Sequence, residues 1–266
     1  MLDNPRSPRV RAVAKLAKKQ ARAETGTFLL EGPQAAREAL TWRPESVVDL
    51  YATQKALAKH DDVAALVRST GVRSDFVTEQ VLDAMADTVT PQGFVAVCRQ
   101  FPATLDEVFD ASPRLIAVLE EVRDPGNAGT IIRAADSAGA DAVVFAGHTV
   151  DLYNPKVVRS TTGSLFHVPV VTGAAIDDVL ARSRAAGMRV IAADMAGDDL
   201  LVARISGELA QATVWVFGNE AHGISDEVVE LVDRVITVPV YGHAESMNLA
   251  TAASVCLYES AFAQRS

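Results

Sequence analysis

Five side chains able to hold and orient a polar ligand, Asn127, Arg133, Glu220, Ser246 and Asn248, fall within three short stretches of the second half of the chain. These are EEVRDPGNAGTIIRAADSAG (120–139), VFGNEAHGIS (216–225) and VPVYGHAESMNLATAASVCLYE (238–259). Each follows or closes an apolar, strand-like run, where an open α/β sheet presents its ligands to loops and helices. Taken singly, each has an ordinary structural reading. Asn127 can cap a helix with Arg133 on its surface, Gly218-Asn219-Glu220 can be a turn, and Ser246 or Asn248 can cap the last helix. Their joint appearance, in order, at successive strand ends points to an enzyme site. The glycine patterns that cradle phosphates, GxGxxG and GxxxxGK[ST], are absent. So is HExxH; no metal is expected, and the five histidines read as incidental, with His243 bordering the site.

The elements that must position these groups follow from apolar periodicity. Residues 28–32, 47–53, 72–78 and 93–99 read as strands separated by helical stretches (33–40, 55–70 and 78–88), after a basic helix over 8–23. Residues 100–113, with two prolines and several acids, read as a linker. Beyond it come Val- and Ile-rich runs at 114–122, 141–147, 168–171, 188–195, 212–219 and 234–240, apolar on both faces as central parallel strands are. Helical spacing fills the gaps and closes the chain over 248–264. The expectation is an α/β protein with a smaller α/β domain at 1–99, a linker at 100–113 and a doubly wound parallel-sheet domain at 114–266.

No stretch approaches the apolar length of a membrane span, and the N-terminus lacks the apolar middle of a signal peptide, so a cytoplasmic protein is expected. Cys98 and Cys256 sit in apolar surroundings without CxxC spacing and read as buried free thiols. The net charge of −9 argues against a polyanionic partner, but residues 1–23 hold seven cations against one acid. That run is either a solvated helix face or a phosphate-binding arm.

The three stretches resemble the SpoU (TrmH-like) family of RNA ribose 2′-O-methyltransferases, within the SPOUT superfamily. NAGTIIR, GNEAHGIS and ESMNLA match its three motifs in order, and NPKVVRSTTGSLFHVP (154–169) is similar to the family's intermediate segment. Residues 7–40 are similar to the substrate-binding domain that precedes the catalytic domain in many members, which implies an RNA substrate-binding role for 1–99. Ala221 stands where glycine is common. The resemblance implies S-adenosylmethionine held in a deep C-terminal trefoil knot, with Met195, Gly218, Asn219, Val238 and Met247 around it. It carries catalytic roles to Asn127, Arg133, Glu220, Ser246 and Asn248, and implies a homodimer whose protomers complete each other's sites.

Methyl transfer to a ribose hydroxyl depends on positioning and on stabilising a developing alkoxide. A guanidinium stays protonated, so Arg133 is read as binding the 3′-phosphate and polarising the nucleophile, with Ser246 and Asn248 orienting Arg133 or the ribose and Glu220 anchoring the arginine or the turn. Arg9, Arg11, Lys15, Lys18, Lys19, Arg22 and Arg159 are the expected RNA contacts. The substrate expected is structured RNA, 23S ribosomal RNA ahead of tRNA, in a layout that resembles the thiostrepton-resistance methyltransferases. The alternatives are a non-catalytic ribosome-assembly factor, against which the intact site residues speak, and a nucleotide-dependent oxidoreductase, against which the missing glycine fingerprint speaks.

Overall fold

A computed structural model describes residues 1–266 and divides them into two compact units, Met1–Phe101 with Asp151–His167, and Pro102–Val150 with Val168–Ser266. In chain order the elements are α1 (Pro8–Lys15), α2 (Lys19–Thr25), β1 (Thr27–Glu31), α3 (Pro33–Trp42), β2 (Val47–Ala52), α4 (Gln54–Lys59), α5 (Asp61–Thr70), β3 (Ser74–Phe76), α6 (Glu79–Met85) and β4 (Phe94–Arg99). There follow α7 (Leu105–Asp110), β5 (Leu115–Glu120), α8 (Pro125–Ala138), β6 (Ala142–Ala146), α9 (Pro155–Ser160), β7 (Val170–Ala174), α10 (Ile176–Ala185) and β8 (Arg189–Asp199). The chain ends with α11 (Leu200–Ile205), β9 (Thr213–Phe217), α12 (Asp226–Leu231), β10 (Arg234–Thr237) and α13 (Leu249–Gln264).

The first unit is a mixed sheet in the order β1-β4-β2-β3, antiparallel except for the β2/β3 pair. Its basic start is two helices rather than the single one expected over 8–23. The break has a visible cause: the buried Arg22 guanidinium takes the Leu16 and Ala17 carbonyls at 2.8 and 2.9 Å, in place of helical N–H donors, and pairs with Asp151 at 2.6 Å. Val10, Val13 and Leu16 pack against Tyr51, Val81, Leu82 and Met85. The helix expected over 55–70 also divides, at His60, whose φ of −122° and ψ of 70° leave the helical region.

Asp151–His167, read from sequence as part of the catalytic half, packs into this first unit. Tyr153 lies 4.7 Å from Phe28 between ring centroids, and Arg159 bonds Glu31 at 2.9 Å and Asp87 at 3.0 Å. Periodicity carries no trace of such contacts between distant parts of the chain.

The second unit is a six-stranded, wholly parallel sheet in the order β10-β8-β9-β5-β6-β7. Every residue of β5, β6 and β9 is buried, as strands covered on both faces require. The stretch read as a linker is ordered here: α7 carries a full capping box between Thr104 and Glu107, and Ala103 bridges to Val171. α13 seats Ala250, Ala253, Cys256, Leu257, Ser260 and Ala261 against the sheet, where the Trp215 indole donates to the Ser260 hydroxyl at 2.8 Å. Both thiols are buried, and burial pushes Cys98 far up and Cys256 to about 12. No helix is long and apolar enough to cross a membrane.

Candidate active site

The C-terminal ends of β5, β8, β9 and β10 supply the loops that form the site. α8 begins after β5 with Asp124 as its cap, whose carboxylate accepts the Asn127 N–H at 2.7 Å, and with Pro125 in the first turn. Asn127 therefore does not cap the helix, as the sequence suggested, but sits in its first turn with its side chain turned to other partners. Its amide donates to Glu220 Oε1 at 3.2 Å, and its carbonyl oxygen accepts from Asn248 Nδ2 at 3.0 Å. One hydrogen-bonded relay, Asn248 to Asn127 to Glu220, thus ties the three sequence stretches together.

Glu220 is the clasp between two loops. Its carboxylate also accepts the backbone N–H groups of Arg123 and Asp124 at 3.2 and 3.1 Å. Burial alone would raise its pKa, but hydrogen bonds from its own backbone, Asn127, Arg123 and Asp124 outweigh that and hold the carboxyl below its usual range. It anchors the turn before α8 and makes no contact with Arg133. Beside it, Asn219 donates to the Glu121 carbonyl at 2.8 Å and accepts the Ala221 N–H at 2.9 Å. Glu121 reaches that position with a φ of +53°, a left-handed conformation that sequence does not advertise at a glutamate.

β8 contributes through an irregularity. Its register against β10 jumps from Ala192↔Val235 to Asp198↔Ile236, so residues 193–197 bulge out of that ladder. Gly197 makes the crossing possible, because a Cβ there would lie 2.5 Å from the Ile236 nitrogen. Gly218 has the same role in the next strand-end loop, where a Cβ would stand 2.4 Å from the Gly223 carbonyl oxygen.

These loops enclose a cavity of about 690 Å³, a size suited to a small-molecule ligand. Of the expected cofactor residues, Met195, Asn219, Val238 and Met247 line it, while Gly218 shapes the turn behind it. Asn127, Glu220, Ser246 and Asn248 line it too. Apolar walls come from Phe217, Ile236, Pro239 and Leu249. Asn248 additionally caps α13, accepting the Thr251 N–H at 3.2 Å. Asp194, which the sequence reading passed over, also lines the cavity.

Arg133 does not line this cavity. Six residues beyond Asn127 it stands about 9 Å further along α8 and some 120° around its axis, exposed, with its guanidinium making no hydrogen bond or ion pair in its own chain. Within one chain Ser246 and Asn248 therefore do not orient it.

Residues 114–258 match the SpoU rRNA Methylase family, and residues 29–104 match the family described as RNA 2′-O ribose methyltransferase substrate binding. The chain belongs to the SpoU rRNA methylase family. It is 33% identical, over 97% of each chain, to 23S rRNA (guanosine(2553)-2′-O)-methyltransferase RlmP of Bacillus subtilis. It is likewise 33% identical to the 23S rRNA (uridine(2479)-2′-O)-methyltransferase of Streptomyces viridochromogenes, over 92% of this chain and 86% of that one. Among solved structures, the SpoU methyltransferase AviRb of that organism, in complex with AdoMet, superposes with a TM-score of 0.83 at 30% identity, over 97% of this chain and 99% of that one. AdoMet-bound rRNA methyltransferase from Sinorhizobium meliloti gives 0.80 at 29%, over 97% and 96%. For a SpoU cofactor the lining residues are chemically suitable: apolar walls for an adenosine moiety, with carboxamide, hydroxyl and carboxylate groups for its polar edges.

The expected RNA contacts of the first unit separate into two sets. Arg22 is buried on Asp151; Arg9 pairs with Asp49 and Asp75 and stacks over Tyr51; Arg159 is held by Glu31 and Asp87. All three are thus held in ion pairs within the unit. Arg11, Lys15, Lys18 and Lys19 are exposed and form no ion pair.

Proposed function

We propose that the protein methylates a ribose 2′-hydroxyl in 23S ribosomal RNA, using S-adenosylmethionine as donor. The observation that carries this reading is the convergence of all three sequence stretches on one cavity, joined by the Asn248–Asn127–Glu220 relay. The donor supplies an electrophilic methyl group, which the chain must hold in line with the attacking oxygen. Glu220, fully engaged by N–H donors, fixes the loop and is not the group that takes the hydroxyl proton. Ser246 lines the cavity without a side-chain partner and would orient the ribose.

Arg133 is assigned to the neighbouring site of a homodimer. An exposed, unpartnered guanidinium on α8, and exposed Tyr258 and Phe262 on the adjoining α13, support pairing of two copies through these helices. There Arg133 would bind the phosphate 3′ to the target and polarise its hydroxyl, a role suited to a permanently charged fork of donors. Mixing inactive Arg133→Ala and Ser246→Ala proteins tests this: one intact site per mixed dimer should restore activity, and a mixture that stays inactive would remove Arg133 from the partner's site.

The threaded C-terminus is part of the same reading. The chain leaves edge strand β10, passes the β8 bulge over residues 238–248, and returns to lay α13 on the middle strands; a trefoil knot would add the threading of that passage through a loop. Arg11, Lys15, Lys18 and Lys19 would hold RNA phosphates, and action on ribosomal RNA would place the protein in the cytoplasm. Incubation with labelled donor and unmodified total RNA, followed by mapping of alkali-resistant linkages, tests the function. Label in a base, or in tRNA alone, would refute it.

A further inference from the structure

None of the residues lining the cavity is Lys, Arg or His, whereas Asp194, Glu220 and Glu245 are acidic. Glu220 is consumed by its three N–H partners, and Glu245 is exposed to solvent. Asp194 differs from both. It sits half-buried on the β8 bulge, and one carboxylate oxygen, Oδ1, accepts the Ala196 N–H at 3.1 Å. The other, Oδ2, accepts no hydrogen bond from the chain and lies 3.1 Å from where a Cβ would stand on Gly223. Gly223 has a φ of +68° and itself lines the cavity, so a bare backbone there leaves this oxygen room.

Resting on the reading of this cavity as the donor pocket, we infer that Asp194 reads the charge of the methyl donor. Its carboxylate favours the sulfonium of S-adenosylmethionine over the neutral thioether of S-adenosylhomocysteine. In the transfer, the methyl carbon forms a bond to the ribose oxygen and breaks its bond to sulfur. The electron pair stays on sulfur, the hydroxyl proton passes to solvent, and the ligand loses one positive charge. A cavity with uncommitted negative charge and no cation loses its Coulombic hold at that moment. Asp194 thereby favours exchange of spent for fresh donor.

Titration calorimetry of S-adenosylmethionine and S-adenosylhomocysteine into wild type and Asp194→Asn tests this. Asparagine keeps the acceptor for the Ala196 N–H, so the bulge should persist, as an unchanged urea midpoint would verify. The expected result is donor affinity weakened about tenfold, equivalent to about 1.4 kcal/mol, with product affinity unchanged. Equal weakening of both ligands would make Asp194 a neutral hydrogen-bond partner and overturn the inference, as would no change in either. If the variant fails to fold, the wild-type salt dependence decides. Donor binding should weaken with salt while product binding does not, and equal slopes would overturn the inference. Wild type binding neither ligand would instead overturn the donor-pocket reading, and this inference with it.

Discussion

Removing the central member of the Asn248–Asn127–Glu220 relay should reveal that the three strand-end loops are energetically coupled. Asn127→Ala deletes two side-chain hydrogen bonds, of 3.2 and 3.0 Å, both near solvent. At the low end of the usual range, about 0.5–1 kcal/mol each, the loss is about 1–2 kcal/mol. Asn248→Ala deletes the bond to Asn127 and the cap on Thr251, the latter worth about 1 kcal/mol, for a loss of about 1.5–2 kcal/mol. The shared bond can be lost only once. The double variant should therefore fall short of the sum by about 0.5–1 kcal/mol. Of the two tryptophans, Trp215 is buried in the second unit and Trp42 lies in the first. In a Trp42→Phe background, urea unfolding followed by Trp215 fluorescence thus isolates the unit that holds the relay. Additivity within about 0.3 kcal/mol would refute the relay as an energetic link.

Glu220 supplies a pH signature. Its folded pKa lies below the usual carboxylate value, so its contribution to stability is present above about pH 4.3 and is lost as pH falls through the folded pKa; Glu220→Gln should flatten that acid limb in urea melts at stepped pH. Arg22→Ala leaves Asp151 and two carbonyls without their donor, so the first unit should lose about 3 kcal/mol or more of stability, measured by denaturation. Lys18→Ala with Lys19→Ala should leave stability unchanged and reduce the salt slope of RNA binding, read by filter binding; an unaltered slope would place the phosphate track elsewhere. Gly218→Ala drives a Cβ into the Gly223 carbonyl and should cost about 1–3 kcal/mol while weakening donor binding in calorimetry.

Much of this molecule is written in local patterns. Continuous Val- and Ile-rich runs can be buried only as central strands, so the parallel sheet of the second unit and the strand ends bearing Asn127, Glu220 and Asn248 are legible residue by residue. The Asp124-Pro125 helix start is equally legible, through the capping preference of Asp and the first-turn preference of Pro, although Asn127 three residues on has the same capping preference. Other features depend on which distant residues meet. The break at residues 16–18 exists where Arg22 takes the Leu16 and Ala17 carbonyls and pairs with Asp151, one of several contacts, with those of Tyr153 and Arg159, that residues 151–167 make in the first unit. Arg9 and Arg159 look like phosphate ligands in a charge count and become ion-paired supports once Asp49, Asp75, Glu31 and Asp87 surround them. Asp194 belongs to no periodic signal; a register jump between β8 and β10 carries it to the cavity wall. Periodicity reports which face of a segment is buried, whereas the partners of a charged or polar group are chosen only when separate segments close on one another in space.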